Sequence, residues 1–211
     1  MHKCIKAAQR SFFYLEQKED FACLKRMVKI NKMQSDDVMN KKIPRKIHII
    51  GSVGSGKTTM AKNLSASLNL PHYELDNVVW QREKTGDIRR SEDERNEYLG
   101  TILESASWVI EGVHYGWVKD SFDNADVIIL LDPPYRRRLY RITRRFILQN
   151  LGMEKANYKP SFSMFRKMFE WNRNFEEKNR KEILAILCDY KEKLVLIRDA
   201  RELRDNDNWR F

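Results

Sequence analysis

Gly51-Ser52-Val53-Gly54-Ser55-Gly56-Lys57-Thr58 fills every fixed position of the pattern G-x-x-x-x-G-K-[ST]. A β-branched run, Lys46–Ile50, leads into it, and a helical pattern, Lys57–Leu68, leaves it. Strand, glycine-rich turn and helix in that order make an anion cradle. The glycines permit backbone angles and close approaches that a Cβ would block, so main-chain N–H groups can wrap a phosphate. The helix that starts near Lys57 adds unpaired N–H groups and a positive dipole end. Gly51, Ser52, Val53, Gly54, Ser55, Gly56, Lys57, Thr58 and Thr59 are therefore the expected ATP-binding residues. Lys57 is expected at the β/γ-phosphates, the Thr58 hydroxyl on Mg2+ and Thr59 near the α-phosphate.

Downstream of the turn the pattern alternates between strand and helix. His72–Leu75 reads as a second strand with Asp76 at its carboxyl end, and Trp108–Ile110 as a third ending at Glu111-Gly112. Val127–Leu131 reads as a fourth, closed by Asp132-Pro133-Pro134, and Leu194–Ile197 as the last. Helices are expected at Lys57–Leu68, Ser91–Ser105, Tyr135–Gln149 and Ser161–Tyr190; Ser91 with Glu94 forms a capping-box pattern. Alternation of this kind implies a mainly parallel sheet covered on both faces.

Ligands of such sheets sit beyond the carboxyl ends of the strands. Asp76 and Glu111 fall there. Glu111 is the candidate to orient Mg2+ with Thr58, and Asp76 to position or deprotonate an acceptor hydroxyl. Asp132 precedes two prolines and reads as a turn residue. Arg136, Arg137, Arg138, Arg141, Arg144 and Arg145 place six guanidinium groups within ten residues, several at helical spacing. That face suits bidentate phosphate contact, and equally a solvated or DNA-facing stripe. Arg82, Arg89 and Arg90 suit an acidic acceptor. Phe162, Phe165 and Phe169 share one helical face, which points to packing rather than base stacking.

The chain of 211 residues is 42% hydrophobic, enough for a sizeable core, and carries a net charge of +10. Ten Lys/Arg and five Asp/Glu fall in residues 1–43, leaving 30 basic and 25 acidic residues beyond, so each portion carries +5. The body's share fits binding of polyanionic nucleotides and does not require DNA. Residues 1–43 lack Gly and read as a basic, helical N-terminal extension; residues 44–211 are expected to form one P-loop kinase-like domain, with a lid region around 135–175. No apolar run approaches the ~20 residues of a bilayer span, and charges interrupt any leader-like segment near the N-terminus, so a cytoplasmic location is expected. Cys4, Cys23 and Cys188 are scattered without C-x-x-C spacing, which argues against a zinc site and for free thiols.

Several blocks resemble the bacterial proteins called DNA topology modulation proteins, which are adenylate-kinase-like P-loop proteins. They are Ile47–Ile50 running into the glycine turn, Tyr73-Glu74-Leu75-Asp76-Asn77-Val78-Val79-Trp80, Gly86–Arg90, Trp108–Tyr115 with its Glu-Gly-Val-His core, and Glu154–Pro160. The resemblance spans roughly residues 45–200. It implies a P-loop NTPase fold of the nucleoside-monophosphate-kinase type: three layers, α/β/α, around a parallel five-stranded sheet in the order 2-3-1-4-5. It implies ATP as donor, Mg2+, and a mobile lid after strand four. Arg138, Arg141 and Arg145 match lid arginines and residues 152–160 the lid tip, while Asp76 matches a substrate-contacting Asp of shikimate-kinase-like relatives. Asp76, Arg89, Arg90 and His114 are the implied acceptor contacts, and Lys57, Asp76, Glu111, Arg138, Arg141 and Arg145 the implied catalytic set. The adenylate-kinase stretch Asp-Gly-Phe-Pro-Arg is here Glu111-Gly112-Val113-His114-Tyr115, so AMP recognition is not implied. Transfer of the γ-phosphoryl group to a nucleotide or small hydroxy acceptor is the leading expectation. An ATP-binding, DNA-associated regulator and an NTPase switch are the alternatives.

Overall fold

Ile47, Ile49 and Ile50 have no solvent exposure, because the strand they form is the middle of a sheet with helices on both faces. The computed structural model describes residues 43–83, 86–154 and 161–198. The expected extension at 1–43 lies, but for Ile43, outside the described residues, as do positions 155–160 of the expected lid tip.

Strand β1 (Lys46–Gly51) enters the glycine turn, and helix α1 (Lys57–Leu68) leaves it. Then come β2 (His72–Glu74), a short helix α2 (Leu75–Val79) and a small antiparallel hairpin, β3 (Trp80–Gln81) with β4 (Ile88–Arg89). Helix α3 (Glu92–Leu103), β5 (Trp108–Gly112), α4 (Lys119–Asn124) and β6 (Val127–Leu131) follow. After β6, α5 (Tyr135–Asn150) pairs with α6 (Phe162–Asn174); a π-helical turn, Phe175–Asn179, joins α6 to α7 (Arg180–Leu187), and β7 (Leu194–Ile197) closes the sheet. The main sheet runs β2-β5-β1-β6-β7, all parallel, which is the expected order 2-3-1-4-5 once the hairpin is set aside.

Strand periodicity divides the core into two layers. Ile47 and Ile49 of β1, with Val109, Ile129 and Leu131, pack under Met60, Ala61 and Leu64 of α1. The alternate residues Ile50, Ile110, Ile128 and Leu130 pack against Leu99 and Ile102 of α3, Phe122 of α4 and Leu187 of α7. Each such fully buried aliphatic side chain contributes roughly 1.5–3 kcal/mol of burial, so the central strands anchor everything placed at their carboxyl ends.

Three expectations change. The second strand stops at Glu74, and Asp76 lies in the first turn of α2 rather than on a strand end. The long helix expected over 161–190 is broken by the π-helical turn and ends in a 3-10 turn, Cys188–Tyr190. Finally, Phe165 stacks on Phe146 of α5 at 4.4 Å and meets Phe169 at 4.7 Å, as packing requires, but Phe162 on the same helix is exposed. The capping box of Ser91 and Glu94 forms as read. No helix among the described residues is long and apolar enough to cross a membrane.

Candidate active site

Gly54 and Gly56 hold the turn open, at φ 73° and 97°, a region that a side chain disfavours. At Gly54 a Cβ would also stand 2.9 Å from the Arg138 carbonyl oxygen and the Ile142 side chain, so α5 lies directly on the loop. Gly56 is the N-cap of α1 and carries no capping side chain, which leaves the first N–H groups of the helix pointing at the cradle. Ser52 and Ser55 are buried, Lys57 and Thr58 half-buried, and Thr59 exposed.

Lys57 Nζ donates to the Ser52 carbonyl at 3.4 Å and lies 4.0 Å from Glu111 Oε2. The Thr58 hydroxyl donates to Glu111 Oε1 at 2.6 Å. Glu111 therefore meets the two loop residues read for phosphate and metal. It occupies β5 on the α1 side of the sheet, in register with Glu74 of β2, and only 4% of it is exposed. Burial pushes its carboxyl above the ordinary range; Lys57 and Thr58 oppose that, whereas Glu74 and Asp76 reinforce it.

Asp76 faces the opening beyond β2. Its Oδ1 lies 3.6 Å from His114 Nε2, and 65% of its side chain is exposed. The His114 ring, its largest influence, holds the carboxyl below the usual range; partial burial opposes this, and Lys57 and Arg82 assist. Asp76 is thus a carboxylate at neutral pH, within the field of the loop lysine. His114 itself packs against Trp117.

The arginines separate into four groups. Arg141 donates to the carbonyls of Ser55 and Gly54, so the α5 face does reach the loop. Arg138 does not. It is 1% exposed and hydrogen-bonds Asn172 Oδ1 at 2.7 Å, Asp132 Oδ1 at 3.2 Å, the Pro133 carbonyl at 3.0 Å and Glu176. The guanidinium also lies over the Phe175 ring. Expected to touch phosphate, it is consumed by a buried network, because α5 turns this side inward onto the π-helical turn. Asp132 is likewise a buried partner of Arg138 and Arg180 rather than a turn residue. Arg145 lies against Met168, on the α6 side. Around the hairpin, Arg82 pairs with Asp87, Arg90 donates to the carbonyls of Asn77 and Val78, and Arg89 is exposed.

Sequence reading passed over Glu74 and His72, which β2 brings to the same face as Glu111; their period-two spacing was the available signal. Asn172, Glu176 and Arg180 left no local signal, since their meaning depends on the contact of α5 with the π-helical turn.

The chain is similar to several known proteins. A family model described as an AAA domain matches residues 47–150. Uncharacterized protein YqaC of Bacillus subtilis (strain 168) is 28% identical over 128 residues, 60% of this chain and 70% of its own. Among solved structures, a shikimate kinase from Acinetobacter baumannii, in complex with shikimate, aligns at 15% identity and TM-score 0.44, covering 74% of this chain and 83% of its own. A gluconokinase from Sinorhizobium meliloti 1021 aligns at 17% identity and TM-score 0.42, covering 79% and 89%. Strand order, loop conformation and the matched domain make this a P-loop NTPase fold.

Proposed function

We propose that the protein transfers the γ-phosphoryl group of ATP to the hydroxyl of a small molecule or nucleotide. The observation that carries this reading is the ionised Asp76, which stands with His114 outside the cradle but within the field of Lys57. A loop that only binds nucleotide has no need of a second, exposed carboxylate there.

In this reading the loop N–H groups and the N-terminus of α1 hold the phosphates, and Lys57 exchanges the Ser52 carbonyl for β/γ-oxygens. The Thr58 hydroxyl and the Glu111 carboxylate, 2.6 Å apart, are two hard oxygen donors that suit Mg2+. Bound there, Mg2+ would supply neutralisation of phosphate charge. Asp76 accepts the acceptor's proton or fixes its hydroxyl in line with the γ-phosphorus. Arg141, on the loop carbonyls, is placed to offset charge on the transferring group. Arg138 holds α5 rather than touching substrate, and Arg145 lies farther along the same helix. Arg89, Arg90 and His114 border the acceptor side. Adenylate-kinase-like specificity and the DNA topology reading both rest on the resemblance of sequence blocks alone.

The test is ADP release across a screen of hydroxy compounds and nucleotides. The wild type should show acceptor-dependent turnover, and Asp76→Asn should lower it ~10²-fold or more with ATP affinity unchanged. Lys57→Ala should abolish it. Acceptor-independent hydrolysis that Asp76→Asn leaves intact would point instead to an NTPase switch. Salt-sensitive duplex binding without turnover would point to the DNA-associated regulator.

A further inference from the structure

The α1-facing side of the β2 edge brings His72 and Glu74, which phosphate binding does not require, beside Glu111. His72 and Glu74 are two residues apart on β2 and so share a face; Glu74 stands opposite Glu111 in the parallel register, on that same face. One ligand atom from each of the three lies within 4.8 Å of the other two. The Nε2 atom of His72 is sealed from solvent and has no hydrogen-bond partner among the described residues. A buried imidazole nitrogen without a partner costs stability unless something occupies it. Two carboxylates side by side, one of them buried, carry a similar cost unless a cation lies between them.

We propose that His72, Glu74 and Glu111 bind a divalent transition-metal ion, in a site separate from the oxygen donors of Thr58. Cis ligands at about 2.1 Å from a metal are ~3–3.5 Å apart, so donors within 4.8 Å of one another need to close by at most about 1.8 Å. Rotation of the half-buried Glu74 side chain permits this. The imidazole selects the class of ion: Mg2+ takes oxygen ligands, whereas a nitrogen with two carboxylates suits manganese, iron or zinc. Glu111 would then bridge the edge site and the phosphate cradle, and occupancy would fix its carboxylate beside Thr58. The proposal does not depend on phosphoryl transfer, because the three residues are in place without nucleotide.

Mn2+ titrated into the nucleotide-free full chain, followed by pulsed electron paramagnetic resonance, tests it. The expected result is one bound Mn2+ with a 14N coupling from imidazole, retained in Thr58→Ala. The coupling should vanish in His72→Gln, and Glu74→Gln should weaken Mn2+ binding at least about 10-fold. Circular dichroism melts of both variants establish that they are folded; should His72→Gln fail to fold, Glu74→Gln alone decides through its affinity. Mn2+ bound without nitrogen coupling in the wild type would overturn the site. So would coupling that survives His72→Gln, or unchanged affinity in Glu74→Gln.

Discussion

Glu111 answers to two opposed requirements. Placed beside Lys57 and Thr58, it must be ionised to serve a cation, yet burial on β5 and the neighbouring Glu74 and Asp76 favour its neutral form. A carboxyl whose folded pKa is raised releases its proton earlier in the unfolded chain. Stability from this group is therefore present at low pH and declines as pH climbs from the ordinary carboxylate value through the raised one. At neutral pH the charge is a net cost to the nucleotide-free fold. Glu111→Gln keeps the shape and an acceptor for Thr58, so its melting temperature at pH 7.5 should exceed that of the wild type. Turnover in a magnesium titration should require more Mg2+. A melting temperature below the wild type's would mean that the Lys57 contact outweighs the burial cost. How legible this residue was depends on what is asked of it. Its strand end, next to Gly112, was readable from the apolar run before it, but the acidic neighbours that raise its titration, Glu74 of β2 and Asp76 of α2, lie 37 and 35 positions upstream.

Helix α5 joins two functions on two sides, and the arginine stripe gave no means of telling them apart. Spacing put Arg138, Arg141 and Arg145 on related positions of one helix, but one turn of rotation separates a loop contact from a buried hub. The hub exists because the π-helical turn brings Asn172, Glu176 and Arg180 around Asp132 and Arg138. An inserted residue in a long helix leaves no composition signature, so the break at 175–179 and its polar partners could not be read in advance. The five strands of the main sheet, by contrast, were legible to within a residue or two, because β-branched runs bounded by turn residues leave few alternatives, whereas the two-residue strands β3 and β4 were too short to read. The two arginines should respond oppositely to truncation. Arg138→Met removes one partner of the buried Asp132 and should cost about 3–5 kcal/mol in urea unfolding. Arg138→Lys should recover little, since one ammonium cannot satisfy the four acceptors that the guanidinium reaches. Arg141→Ala should instead leave the unfolding midpoint within about 0.5 kcal/mol and weaken ATP binding, measured by calorimetry on the same samples. Equal effects of both changes on ATP affinity would show that Arg138 also reaches phosphate.

Across the molecule, the sheet's central strand carries one polar side chain into the apolar layer opposite α1. His48 of β1 is fully buried, with Nδ1 2.7 Å from the Ser121 hydroxyl of α4 and its ring edge-on to Phe122. Nε2 has no hydrogen-bond partner among the described residues. Burial lowers its pKa from 6.5 to about 3, so the folded protein keeps the ring neutral where the unfolded chain protonates it. The sign follows directly: the unfolded state binds the extra proton between those two values, and stability falls as pH drops through that window. A shift of that size corresponds to at most about 5 kcal/mol, of which about 3 kcal/mol is lost by pH 4.5. Because β1 is hydrogen-bonded to both β5 and β6 and leads into the phosphate loop, protonation here would weaken both halves of the sheet at once. The expected behaviour is cooperative acid unfolding, without an early loss confined to α5 and α6. His48→Gln retains a partner for Ser121 and has no charge to gain. Urea unfolding of wild type and variant at pH 7.5 and pH 4.5 isolates the term, since the carboxylates common to both proteins cancel in the difference. Whatever the variant's stability at pH 7.5, its decline between the two pH values should be smaller by about 3 kcal/mol. Parallel declines would remove His48 as the source of acid sensitivity and place it on carboxyls such as Asp76, which is held below the usual range in the fold.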